Sequence, residues 1–280
     1  MLRKNYPVFL VLVALFSAST LALTVDAKEF STVEPLQSGA HLKLDTYKGT
    51  INIIAWERNE VEVMARIEAP DDVDAEYGAK IVAATEVEVF GDERALTIRS
   101  NYDNVPNEKS WLGLGTSKVL PYVHYEIHAP RHLNLRIKDY KSRIEVYDFE
   151  GTFDIETYKG VLSLRDLNGD IRLETYKGTG DILGISGSLD LETYKGTLTV
   201  EAGALTGQSR LDTYKGEITL IVPRSQGFNL NADISKKGVL ISELGDKSIR
   251  IKNEDIRQDL NGGGPRLRVE TYKGQVILKH

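Results

Sequence analysis

The chain has no cysteine, two methionines and two tryptophans among 280 residues. Without cysteine there are no disulfides and no thiolate metal centres, and the lipid-anchored form of a bacterial leader is excluded. Helical periodicity is nearly missing: Asp71 to Ala84 is the one stretch that reads as a helix, and it reads weakly. Beyond the first 27 residues no run is apolar enough to span a bilayer. A broad basic face is lacking too. The formal charge is -6, and removing Arg3, Lys4 and Asp26 with the leader takes it to -7, which argues against nucleic acid as a partner.

What is present begins with a leader. Arg3 and Lys4 precede an apolar run from Val8 to Leu23, and Val25-Asp26-Ala27 suits small-residue cleavage. Residues 1–27 are expected to be a Sec-type signal peptide, with a retained membrane anchor as the alternative reading of the run; cleavage places the mature protein in the periplasm or outside a bacterial cell, with no transmembrane segment left.

The dominant feature is a repeat. Asp or Glu followed by Thr-Tyr-Lys-Gly occurs six times, at Asp45–Gly49, Glu156–Gly160, Glu174–Gly178, Glu192–Gly196, Asp212–Gly216 and Glu270–Gly274. Tyr158, Tyr176 and Tyr194 recur at one constant interval, and Tyr214 follows slightly late. The same interval counted back from Tyr158 finds Tyr140, in the degenerate copy Lys138-Asp139-Tyr140-Lys141-Ser142. Apolar residues alternate on both sides of each corner: Leu135, Phe153, Ile171 and Leu189 before it, and Ile144, Leu162, Gly180 and Leu198 after it. Gly151, Gly169, Gly187 and Gly207 mark a second corner. Period-2 alternation gives strands with one buried face. A repeat of roughly 18–20 residues built of strands is the signature of a β-solenoid. The expected fold is therefore all-β, a single-stranded β-helix-like solenoid.

The expected organisation is one domain over 28–280. Residues 28–131 form irregular N-terminal strands, with His41 to Ile54 a first coil. Residues 132–242 form regular coils, and 243–280 a polar loop (Asp246 to Pro265) and a C-terminal coil that caps the array. Because the alternation slips by one inside the pentapeptide, its threonine points inward and its acid and tyrosine point outward. Tyr140, Tyr158, Tyr176, Tyr194 and Tyr214 then form a column beside a lysine column and an acidic column, and the two charged columns are expected to cross-pair.

The segments "INIIAWERNEVEVMARIEA" and "VHYEIHAPRHLNLRI", followed by coils of "xIxLETYKGxLxL", carry a resemblance over roughly residues 36–280. They resemble the bacterial family of candidate adhesins, domains of unknown function with β-solenoid folds related to head domains of auto-transporter adhesins. Members carry Thr-x-Ser-Gly-Asp-Ile at the corner, where this chain has Thr-Tyr-Lys-Gly. The resemblance implies an envelope or surface β-solenoid without catalytic residues.

Other constellations are weaker. His124, Glu126 and His128 share one face of a strand and could hold a divalent ion, but read better as a solvent-facing surface. "GLGTSK" (Gly113 to Lys118) lacks the strand and helix of a phosphate cradle, and Gly178, Gly180 and Gly184 follow the repeat and open no helix. Asp148, Glu150, Asp154, Glu156, Asp166 and Asp170 repeat in register, unlike the single acid pair of a glycosidase. No catalytic residue, metal or cofactor is expected, and the protein is not expected to be an enzyme. The expected binding residues are Tyr140, Tyr158, Lys159, Tyr176, Lys177, Tyr194, Lys195, Tyr214 and Lys215, facing a cell-envelope polysaccharide or a surface protein. An envelope-stress sensor engaging a membrane partner, and a polysaccharide-active enzyme, are the alternatives.

Overall fold

The computed structural model describes residues 27–109, 116–245 and 247–280. The expected leader up to residue 26 and Gly113 to Gly115 of the glycine-rich loop lie outside the described residues. The chain is all-β, with 24 strands and one helix among the described residues. Its main sheet has 22 strands, is mixed, and is nearly closed in the manner of a barrel. Among the described residues no helix is long and apolar enough to cross a membrane.

Two ladders of parallel strands carry the architecture. In the first, His132–Asp139 pairs with Glu150–Thr157, which pairs with Asn168–Thr175, which pairs with the second half of Thr179–Thr193. In the second, Lys141–Tyr147 pairs with Val161–Arg165, then with the first half of Thr179–Thr193, then with Thr197–Leu205. Each pentapeptide joins a strand of the first ladder to one of the second. We call such a joined pair a rung. The register matches equivalent residues: Leu135, Phe153, Ile171 and Leu189 are direct neighbours, as are Ile144, Leu162, Gly180 and Leu198. The side chains of both columns are buried, except at Gly180, where a Cβ would stand 2.6 Å from that of Leu162. The leucine missing from that layer thus leaves no room for a replacement. Fully burying such a side chain contributes about 1.5–3 kcal/mol, and the inward residues of both ladders form one continuous core.

The order of rungs departs from the order of sequence at both ends. His41–Asp45 and Lys48–Trp56 pair with His132–Asp139 and Lys141–Tyr147 on one side. On the other side they pair with Ala95–Asn101 and Tyr122–Pro130. The first pentapeptide therefore lies inside the array. At the other end, Arg266–Thr271 and Gln275–Lys279 sit between Ser209–Thr213 and Glu217–Ile221 on one side and Phe228–Ile234 and Val239–Ser242 on the other. The sixth pentapeptide does not cap the array as expected. The rung of residues 228–242 lies outside it.

The ends also explain why the sheet is mixed. At one end Glu86–Asp92 pairs antiparallel with Ala95–Asn101, Glu60–Glu68 pairs antiparallel with Tyr122–Pro130, and Ala27–Pro35 adds a further antiparallel strand against Glu60–Glu68. At the other end, Glu254–Leu260 and Ile249–Ile251 do the same. The irregular loop expected over Asp246 to Pro265 is thus corrected to two strands, which satisfy the backbone groups that the last rung would leave open. Ala27, the last residue of the expected leader, opens the strand Ala27–Pro35. The expected helix is confined to Ala75–Ala84, where Asp74 caps it by accepting from the amides of Glu76 and Tyr77.

The second corner depends on glycine. Gly151, Gly169 and Gly187 have φ of 145°, 137° and 116°. A Cβ on Gly169 would stand 1.9 Å from the carbonyl oxygen of Gly151. Gly207, in the one lengthened repeat, keeps an ordinary φ, and the ladder beside it is bulged.

The out-of-sequence order has a direct test. Glu217 and Gln275 are register partners, whereas Val239 is one rung further, opposite Gln275. In this cysteine-free chain, Glu217→Cys with Gln275→Cys is expected to oxidise to an intramolecular disulfide. Glu217→Cys with Val239→Cys is expected to remain reduced. Mass spectrometry of the oxidised variants reads both, and the reverse pattern would mean that rungs follow the sequence.

Candidate functional site

The corners are built from the inside out. Thr157, Thr175, Thr193, Thr213 and Thr271 are buried, as the slip in alternation requires. In each, the hydroxyl oxygen accepts from the amide of the pentapeptide glycine three residues on, at 2.8 to 3.1 Å. The glycines do not take positive φ. They are needed for proximity: a Cβ on Gly196 would lie 2.2 Å from the carbonyl oxygen of Gly178 and 2.5 Å from Thr193 Oγ1. Thr46 differs, sharing a hydrogen bond with Ser100, whose hydroxyl in turn meets the buried Tyr125.

In the degenerate copy a carboxylate takes the place of threonine. Asp139 Oδ2 accepts from the Ser142 amide at 2.8 Å and from the Thr157 hydroxyl at 2.9 Å, while Oδ1 accepts from the Ser142 hydroxyl. Burial pushes its pKa up, and these hydrogen bonds oppose that shift.

The tyrosines form one unbroken row. Tyr47, Tyr140, Tyr158, Tyr176, Tyr194, Tyr214 and Tyr272 stack ring on ring, with centroids 4.6 to 4.9 Å apart and planes within 13°. The row is roughly 28 Å long, six steps of the spacing between paired strands. All the tyrosines expected in the column are in it. Tyr47 and Tyr272 join at its ends, missed because their distance in sequence from the other copies hides that their rungs are adjacent. The identical pentapeptides were the available signal. Ring faces are covered by neighbouring rings, so what the row offers outward is ring edges and hydroxyl groups. The pKa of Tyr47 is raised by burial and by Tyr140 beside it, and that of Tyr194 by burial and by Tyr214 and Tyr176.

Beside the row stand the lysines. Lys159, Lys177, Lys195, Lys215 and Lys273 each hold Nζ 5.0 to 5.5 Å from the centroid of the preceding tyrosine. Their backbones lock the corners together: the Lys177 amide donates to the Tyr158 carbonyl at 2.9 Å, and Lys195 to Tyr176 at 2.8 Å.

The expected pairing of acidic and lysine columns is corrected. The corner acids pair with cations on the outer face of the first ladder: Glu156 with Lys138 at 2.9 Å and Glu174 with Arg172 at 3.7 Å. Arg210 gathers Asp190, Glu192, Asp212 and Glu270. A residue two positions away on the same strand face is nearer than a lysine round the corner. Asp212 is held above its ordinary pKa by burial, with Arg210 pulling the other way.

The remaining candidates lie elsewhere. His124, Glu126 and His128 face outward from Tyr122–Pro130, and the two histidines meet Thr50, Glu68 and Glu62 on neighbouring strands. Together with Asn52, Met64 and Arg66, His124 and Glu126 line a shallow groove of about 660 Å³. Among the described residues no three His, Asp or Glu side chains converge as metal ligands. The carboxylates from Asp148 to Asp170 follow the ladders, with Glu150 beside Asn168 and Asp154 beside Arg172.

No family model matches the chain, and no curated relative does. Among solved structures, it is similar to a candidate cell adhesion protein from Clostridium sporogenes, at 14% identity and a TM-score of 0.36, over 90% of this chain and 99% of that one. A candidate adhesin from Bacteroides fragilis gives 14% and 0.41 over 90% and 96%. A candidate lipid binding protein from Parabacteroides distasonis gives 11% and 0.25 over 89% and 96%. At these scores nothing about the chemistry of this chain follows from the likeness.

Two outcomes are expected at the corners. Thr175→Val leaves the buried Gly178 amide without its acceptor and should cost about 1–3 kcal/mol in denaturant unfolding, while Thr175→Ser should be nearly silent. At Asp139 the folded pKa is raised, so its stabilising contribution is complete below the unfolded carboxylate value and fades as pH rises through the folded one. The stability of the wild type relative to Asp139→Thr should therefore fall as pH climbs through the carboxylate range. A flat difference across that range would show that Asp139 ionises as freely in the folded chain as in the unfolded one.

Proposed function

We propose that the protein is a non-catalytic, adhesin-like β-solenoid, exported to the periplasm or cell surface, that holds an extended envelope ligand along its tyrosine–lysine corner. The observation carrying this reading is the unbroken row of seven stacked tyrosines flanked by lysines. Stiffening a corner requires no cation, and rings whose faces are already covered need no ammonium group at their edge. A row of hydroxyl donors and ammonium groups, repeating at strand spacing and turned to solvent, suits a ligand that is itself long and repetitive. The nine residues expected as the binding set fall on this one edge, and Tyr47, Tyr272 and Lys273 extend it. In this reading the rungs wind as successive coils of one solenoid.

The tyrosines serve structure and recognition together, and the lysines serve recognition alone. Lys159→Gln with Lys177→Gln and Lys195→Gln should leave unfolding within about 0.5 kcal/mol per site, yet abolish pull-down of isolated cell-envelope material. Tyr158→Ser with Tyr176→Ser and Tyr194→Ser should lose both, since each removed ring forfeits stacking worth about 0.5–1.5 kcal/mol per pair. Unchanged pull-down by both triple variants would sink the proposal.

A further inference from the structure

Resting on that reading of the corner, we infer that the ligand is a linear acidic polysaccharide, lying along the lysine row with its carboxylates set against the ammonium groups. Lys141, Lys159, Lys177, Lys195, Lys215 and Lys273 occupy the same position on six consecutive rungs, each donating its amide to the tyrosine carbonyl of the rung before. None of the six forms an ion pair with a carboxylate among the described residues, because the corner acids are engaged with Lys138, Arg172, Arg210 and Arg268. The result is a straight file of like charges one strand spacing apart, held over the tyrosine edges and lacking counter-ions from the protein. Like charges so placed repel one another, so the file favours a partner that brings a matching file of anions.

Spacing narrows the partner. Along an extended peptide, side chains on one face recur at roughly 6.6 Å, and the phosphates of duplex DNA wind round the helix instead of following one straight line. The lysine repeat follows the tyrosine spacing of 4.6 to 4.9 Å. A chain of uronic acid pyranoses brings one carboxylate per sugar ring along a single line, a partner for a file of cations one residue wide. Width matters as well. The row is one residue broad, with acids on the first ladder at one side and Val161, Thr179 and Thr197 opening the second ladder at the other. A membrane surface presents anions in two dimensions, more than a row one residue broad can meet, whereas a single polysaccharide chain matches its width. The neighbouring phenol groups can donate hydrogen bonds to the same carboxylates or to the sugar hydroxyls.

The experiment measures binding of the full exported protein to polygalacturonate, to its methyl ester, and to phosphatidylglycerol vesicles, at low and raised salt. Polygalacturonate should bind and the neutral ester should not, and affinity should fall as salt rises. Lys159→Gln with Lys177→Gln and Lys195→Gln should weaken binding by about tenfold or more at low salt. Equal binding of acid and ester, or preference for the vesicles, would overturn the inference. So would absence of polygalacturonate binding while the lysine variant still loses envelope pull-down, an outcome that leaves the corner as a binding edge for a different ligand. If the lysine variant alters neither measurement, the reading of the corner falls along with the inference.

Discussion

Each residue in the regular part of this protein has its own counterpart as neighbour, one strand spacing away. This constraint decides which residues the repeat can hold. Leucine and isoleucine gain from meeting their like, so they fill the inward columns. Tyrosine gains because strand spacing falls close to the stacking distance of flat rings. Glycine is imposed where two backbones approach until a Cβ would strike a carbonyl oxygen, as at Gly169 and Gly196. Charge is the residue type that loses, and the chain handles it in two ways. On the first ladder acids are interleaved with arginines, so that Arg210 touches four of them. On the corner the lysines are left without such relief.

Much of this was legible because a repeat states its own register. Residue identity at a fixed phase placed Leu135 beside Phe153, turned Thr175 inward, and drew five tyrosines into one column. What could not be read follows from physics that a period does not encode. The near-regular interval of 18 to 20 residues breaks before Tyr140 and after Tyr214, so the adjacency of Tyr47 to Tyr140 and of Tyr214 to Tyr272 left only the shared pentapeptide as a clue. The strands Ile249–Ile251 and Glu254–Leu260 cover an edge and pack little apolar surface, so their sequences carry faint alternation. The pairing of charges failed because distance round a corner differs from distance along a strand.

The corner itself shows how narrow the tolerance of a buried polar position can be. Thr175 supplies one acceptor to one amide, and the same bond recurs at five corners with nearly constant length. Asp139 fills the same place with a carboxylate only because Ser142 brings a hydroxyl along with its amide and Thr157 adds a third donor. A buried carboxylate is accepted at this position at the expense of a changed neighbour, serine in place of glycine.

The slot that holds residues 266–279 has a consequence for how the chain reaches this state. Both rungs flanking it, those of residues 209–221 and 228–242, precede it in sequence. During synthesis the earlier segments emerge first, and their parallel edges must stay apart until the later one arrives. The final insertion joins residues far apart in the chain, a slow kind of closure. Until then the gap is a receptor for any strand with the right register, and the best match available is the same segment of another copy. Exchange of this rung between molecules would be the corresponding domain-swapped product.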